Sequence, residues 1–288
     1  MNSKKLINDF SELVMFQHSV FSLPFIFIAM LVASAQVNGS GWFGWKLLVL
    51  GTLAAVCARN YAMGVNRYLD RDIDRLNPRT KHRPSVDGRV SEAQMLWFIL
   101  LNAAAFIVVA YCINTLALLL SLPILLVLGA YTYFKRFSAL AHLILGISLG
   151  LAPIAGEVAV SGAISWWSVS LAAGVTFWVA GFDLLYSLQD MEFDKAQGLH
   201  SIPSRFGSIK TMWIARVFHL LAVAFWSLFV MQAYLGLFAG LAIVFAALML
   251  AYEHYLVSRD FTKIDRAFFT VNGYLGFVFL SLIIVEVM

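Results

Sequence analysis

Nine of the 16 acidic residues in this 288-residue chain fall in two short stretches, 70–92 and 183–194. The first runs Asn66-Arg67-Tyr68-Leu69-Asp70-Arg71-Asp72-Ile73-Asp74 and continues to Arg79-Thr80 and Arg83-Pro84. The second runs from Asp183 through Tyr186 to Gln189-Asp190-Met191-Glu192-Phe193-Asp194, then through Gly198 and His200 to Pro203, Arg205 and Gly207. Each contains D-x-x-x-D, then basic residues, then a proline. Residues four apart on a helix share a face. Asn66, Asp70 and Asp74 therefore form one oxygen-bearing stripe, and Asp183, Asp190 and Asp194 form another. Asp72 points away from its stripe and reads as a solvated charge. Oxygen-only ligand sets suit a hard cation. Magnesium takes one or two carboxylates and leaves its other positions to water and substrate phosphate. Two such clusters facing each other would grip a diphosphate through bridging Mg2+ ions. A single D-x-x-x-D among basic residues also reads as simple charge balance; the second copy argues against that.

The elements that carry these stripes are apolar helices. The chain is 61% hydrophobic and 12% charged, against roughly 45–50% and about 25% for a soluble domain. Nine stretches near the length of a bilayer-spanning helix are expected at about 13–36, 43–66, 93–113, 115–134, 138–159, 165–189, 209–232, 234–256 and 267–287. Strand-like alternation is absent, which excludes a β-barrel pattern. The expectation is one all-α membrane domain over 1–288, in a lipid bilayer and with no nucleic-acid partner. Its Asp-rich cytoplasmic loops lie at about 67–91 and 190–208. Lys and Arg gather at Lys4-Lys5, in 71–89, at Lys135-Arg136, in 195–210 and in 259–266, and are missing from the alternate loops. Positive residues mark the cytoplasmic side, so the N-terminus is expected inside and the C-terminus outside. Both aspartate stretches then begin at cytoplasmic helix ends, where ionisable groups are costly in lipid and read as functional. The repeated stretch suggests two similar halves. Cys57 and Cys112 fall inside spans and read as packing residues. Ala33-Ser34-Ala35 resembles a signal-peptidase site, but the long apolar run before it favours an uncleaved anchor.

The pattern N-x-x-x-D-x-x-x-D followed by R-T-x-x-R-P, at Asn66, Asp70, Asp74, Arg79-Thr80 and Arg83-Pro84, resembles the UbiA superfamily of intramembrane aromatic prenyltransferases. Asp190 and Asp194, with Asp183 upstream, resemble its second motif. Tyr131-Thr132-Tyr133-Phe134-Lys135 resembles its Y-x-x-x-K motif. The likeness spans the whole chain. It implies nine helices around a central cavity, with the Asp motifs facing each other beneath a cytoplasmic cap. It further implies a polyprenyl diphosphate bound through Mg2+, ionised to an allylic cation and attacked by an electron-rich aromatic acid. The run 189–203 resembles 4-hydroxybenzoate polyprenyltransferases of ubiquinone biosynthesis. It also resembles their relatives on the futalosine route to menaquinone, which act on a dihydroxynaphthoate. It departs from the second motifs of heme farnesyltransferases and 1,4-dihydroxy-2-naphthoate transferases. The implied location is a bacterial inner membrane.

On this reading Asn66, Asp70 and Asp74 hold one Mg2+, and Asp190 and Asp194 the other. Asp183 either binds metal or orients a ligand. Lys135, one turn from Tyr131, either stabilises the leaving diphosphate or is a topology charge. The same two readings stand for Arg67, Arg71, Arg83 and Arg205. Arg59 lies two turns deeper on the Asn66 face. It either pairs with Asp183 or another carboxylate, or holds the acceptor's carboxylate in its planar fork. His18, in the first span, is either a satisfied interior histidine or part of the aromatic pocket. Tyr131, Tyr186 and Phe182 are expected to line a dry pocket for the cation. Two other function classes are weighed. A cation- or proton-coupled transporter would also carry intramembrane carboxylates, and a structural scaffold would not require both aspartate pairs.

Overall fold

The computed structural model describes residues 3–14 and 23–288, and among these every regular element is helical. A short helix α1 (Ser3–Leu13) precedes α2 (Leu23–Asn38) and α3 (Trp45–Leu69). There follow α4 (Arg71–Leu76), α5 (Glu92–Ile113), α6 (Thr115–Ala130), α7 (Ala141–Ser161) and α8 (Trp166–Tyr186). Then come α9 (Met191–Ala196), α10 (Ile202–Gln232), α11 (Leu237–Arg259), α12 (Ile264–Arg266) and α13 (Asn272–Val287). Eight helices are long and apolar enough to cross a membrane, and α2 is a shorter apolar helix. The eight match the second to ninth expected stretches, with most ends shifted by a few residues; of the first, 13–36, the described part of the helix begins at Leu23. The seventh stretch starts earlier than expected. Pro203 in the first turn and the side-chain capping box of Ser201 with Ser204 begin α10. Gly207, at φ 79°, then kinks it.

The bundle packs on α8, which is sandwiched between α7 and α10. Gly146 and Gly150 make this approach possible. A Cβ on Gly146 would lie 2.2 Å from the Thr176 carbonyl oxygen, and one on Gly150 would lie 2.2 Å from Thr176 Oγ1. Small residues four apart let helix backbones meet closely where lipid offers no hydrophobic drive for association. Behind them Phe25, Trp178, Trp226 and Phe279 form a buried aromatic core. Burying such rings contributes through both area and edge-to-face geometry.

The two Asp-bearing stretches fold alike. α3 ends at Asp70 (φ −90°, ψ 6°), which opens the six-residue α4; a loop then leads to Ser91, whose capping box with Gln94 starts α5. α8 ends in a 3₁₀ turn to Asp190 (φ −99°, ψ 2°), which opens the six-residue α9; a loop then leads to Ser201 and α10. The stripes are thus bent at their middle aspartates rather than carried on straight helices. The ladder still runs through the first bend, from Asp70 N to Asn66 O and from Asp74 N to Asp70 O at 2.9 and 2.7 Å.

Candidate active site

The loop after α4 folds across to the second aspartate stretch. Asn77 Nδ2 donates to Asp190 Oδ1 at 3.2 Å. Arg79 reaches the same carboxylate with Nε at 3.1 Å and Nη2 at 2.5 Å, and its guanidinium lies 5.6 Å above the Tyr186 ring. Asn77 Oδ1 accepts the Arg79 backbone N–H, a local turn that fixes the arginine's direction. Arg83 Nη1 grips both oxygens of Asp74 at 2.7 Å. Lys135 Nζ sits 2.5 Å from Asp70 Oδ2. Asn66 donates to Asp70 Oδ2 at 2.8 Å and to Thr132 Oγ1 at 3.0 Å. These residues, with Asp183 and Asp194, line a polar chamber of about 1000 Å³.

Asp70 is 2% exposed. Burial pushes its carboxyl above the ordinary value, and Lys135 pulls the other way. Its Oδ1 is buried without a hydrogen bond, the Arg136 guanidinium standing off at 3.9 Å, so the carboxylate is hydrogen-bonded on one oxygen only. A buried oxygen in that state costs free energy until something binds it. Among the described residues no three His, Cys, Asp or Glu side chains converge on one point. The donors are oxygens that sit in pairs and open to a chamber. That set fits an ion completing its shell with water and phosphate rather than a closed structural metal site.

Beneath lies a second chamber of about 870 Å³, lined by Ile26, Ala58, Phe106, Leu128 and other apolar side chains. Tyr131 and Leu145 line both chambers and join them. Among the described residues, Arg59 is the one side chain with a formal charge in the lower chamber's lining, and its Nε is buried without a partner. Arg59 is not paired with Asp183, whose Oδ2 is taken by His142 Nδ1 at 2.7 Å. His142 thus engages one carboxylate oxygen of Asp183, which also lines the polar chamber.

Other expectations change as well. Arg205 is exposed, stacked 5.5 Å over Phe206, and does not reach the chamber. Its place in the first turn of α10 turns it outward. Arg71 donates to the Ser85 carbonyl at 2.9 Å and pairs with Glu92, so it braces the loop. Arg67 lies in the chamber lining, 4% exposed, donating to Asn66 Oδ1 at 2.9 Å and to the Leu13 carbonyl at 3.2 Å. Asp72 is solvated yet held by Arg136 at 2.7 Å. Phe182 belongs to the aromatic core. Cys57 is half-buried and Cys112 is exposed on α5. His18 lies outside the described residues. Sequence reasoning missed Asn77, Thr132 and His142. Of these only His142 carried a signal: a titratable residue in the first turn of an apolar helix.

A polytopic helical membrane protein with an acidic, cation-studded chamber stacked on an apolar one is the class that this fold and site define. The UbiA prenyltransferase family model matches residues 22–283, and the chain belongs to that family. A UbiA homologue from Aeropyrum pernix K1, solved without ligand, is 34% identical with a TM-score of 0.83, over 93% of this chain and 97% of that one. A UbiA homologue from Archaeoglobus fulgidus solved with GPP and Mg2+ shares the fold at 17% identity and TM-score 0.73, over 96% of this chain and 99% of that one. The 4-hydroxybenzoate octaprenyltransferase of Herminiimonas arsenicoxydans is 31% identical over 241 residues, 81% of each protein.

Proposed function

We propose that this chain transfers a polyprenyl group from its diphosphate to the ring of an aromatic acid, with 4-hydroxybenzoate as the acceptor. The observation that carries this reading is the stacking of the two chambers through Tyr131 and Leu145. The upper one offers paired carboxylates and cations for a diphosphate. The lower one offers apolar walls and one unpaired guanidinium for an aromatic carboxylate. Mg2+ is the cofactor of this reading, held by Asn66, Asp70 and Asp74 and by Asp190 and Asp194. When bound it supplies Lewis-acid charge to the leaving diphosphate oxygens. Lys135, Arg67, Arg79 and Arg83 hold the diphosphate by charge-assisted hydrogen bonds and stabilise the charge that develops on it. Tyr131 presents its ring where the two chambers meet, which favours an allylic cation there. The apolar lining excludes water that would otherwise trap that cation. Arg59 orients the acceptor.

The curated relatives named 4-hydroxybenzoate octaprenyltransferase favour that acceptor. A dihydroxynaphthoate in menaquinone synthesis is the second reading, motivated by the run 189–203. Purified protein offered a polyprenyl diphosphate with each acid separately, and the products weighed, decides between them. Pyrophosphate release without ring prenylation of either acid would refute both. We place the chain in a bacterial inner membrane as a single domain, N-terminus cytoplasmic and C-terminus outside. Reporter fusions should locate the two termini on opposite faces.

A further inference from the structure

The Asp183–His142 pair shares the polar chamber with Asp190 and Asp194. His142 opens α7 and is only 6% exposed. Its Nδ1 lies 2.7 Å from Asp183 Oδ2. A carboxylate only accepts hydrogen bonds, so Nδ1 carries a proton, and in the neutral imidazole Nε2 presents a lone pair. Nε2 is buried and has no partner, while the ring lines the polar chamber with Tyr186, Asp190 and Asp194. Buried polar atoms are normally satisfied, so an orphaned one marks a place that a ligand completes. The contrast with His219 is direct. That buried histidine meets His254 Nε2 at 3.0 Å and the Trp178 carbonyl at 3.3 Å, so both of its nitrogens are engaged.

We propose that His142 is the general base that takes the ring proton of the aromatic acceptor, and that Asp183 is its positioning residue. This rests on the acceptor reading above. The route along α7 suits it. Leu145, one turn below His142, lines both chambers, and Ser148 lines the lower one with Arg59. Six residues of helix put His142 and Ser148 about 9 Å apart along the axis. In this proposal an acid anchored at Arg59 lies along that face of α7 with its ring toward Nε2.

The chemistry balances without another reagent. The C–O bond of the donor breaks and its electron pair leaves on diphosphate. A ring π pair of the acceptor forms the new C–C bond to the allylic carbon. The same ring carbon then bears hydrogen and prenyl together. Its hydrogen leaves as a proton to Nε2, and the C–H pair restores aromaticity. The Asp183 carboxylate compensates the imidazolium, and the proton passes to water as product departs.

His142→Gln tests this, because the amide N–H still reaches Asp183 but offers no basic nitrogen. A positioned base contributes about 10²–10⁴-fold, so kcat should fall within that range while both KM values stay near wild type. With acceptor deuterated at the prenylated carbon, wild type should show no primary isotope effect and the variant a clear one, since proton loss has become slow. Asp183→Asn should show the same effect, because an amide no longer enforces the Nδ1–H tautomer. Imidazole should partly restore His142→Ala. Wild-type turnover in His142→Gln would overturn the proposal and leave the departing diphosphate as the proton acceptor. A fall in kcat with no isotope effect and no imidazole rescue would make His142 structural. If wild type prenylates neither acid, the functional reading fails and the proposal falls with it.

Discussion

Replacing Arg59 with leucine separates two accounts of this arginine, and the structure gives them opposite signs. The Arg59 Nε is buried without a partner in a chamber walled by alanines, Phe106 and Leu149. Arg59 is half-buried, and in the free protein a cation whose buried Nε lacks a partner opposes folding. Arg59→Leu should therefore hold or raise the melting temperature in detergent. Acceptor binding should move the other way. A hydrogen bond to a charged partner is worth about 1.5–3 kcal/mol, which corresponds to roughly 10–150-fold in the acceptor KM at 1.4 kcal/mol per tenfold. The donor KM should not change, because Arg59 lies about 10 Å along the helix from Asn66. Arg59→Lys should recover only part of the loss, keeping charge without the fork. The assay is steady-state turnover at saturating donor with the prenylated product measured by mass, alongside thermal unfolding. If Arg59→Leu melts earlier, or weakens donor and acceptor equally, the arginine is a structural partner. The acceptor's anchor must then be sought elsewhere, with His18 the next residue to change.

Asp70→Ala and Asp190→Ala should each abolish turnover by about 10³-fold or more, given what single electrostatic groups contribute at such sites. Size-exclusion profiles should stay intact, and near-normal activity in either variant would break the two-cluster account. Chelation should abolish turnover and weaken binding of the prenyl diphosphate, and added Mg2+ should restore both. Full activity in metal-free protein would contradict the oxygen-ligand reading. Gly146→Leu should lower the melting temperature, because its Cβ meets the Thr176 carbonyl oxygen at 2.2 Å and overpacking costs about 1–3 kcal/mol. An unchanged melting temperature would mean that α7 and α8 can separate freely.

Much of this site was legible because lipid makes charge conspicuous. Apolar runs of spanning length give the helices, and carboxylates at their ends stand out against an apolar background. The D-x-x-x-D spacing survives folding because the i to i−4 bonds persist through Asp70. Which partner each charge takes was not legible. Arg83 and Arg205 look alike in sequence, both basic and both in capping loops. A turn aims Arg83 at Asp74, while α10 faces Arg205 outward. Arg59 and Asp183 both lie in the halves of their helices that lead into the Asp-bearing stretches, yet His142, on a third helix, engages the aspartate. Asn77 reached Asp190 only through tertiary loop folding that no local period encodes.

The partners that the aspartates keep in this state bear on how a donor binds. Asp70, Asp74 and Asp190 each already hold a cation, in Lys135, Arg83 and Arg79. Asp70 and Asp74 are buried, and stripping a buried carboxylate of its cation is strongly unfavourable, so those two contacts resist opening to leave bare charges. On the proposed reading, a diphosphate arriving with Mg2+ would offer an exchange instead. Lys135, Arg83 and Arg79 would move to phosphate oxygens, and the carboxylates that they release would be free to hold the metal. Either ligand alone would break pairs that it cannot replace; together they would replace them. Donor and metal should therefore strengthen each other's binding by the same factor, as linkage requires. That coupling would account for the expected requirement for both aspartate pairs even though Asn77 and Arg79 alone already bridge one stretch to the other.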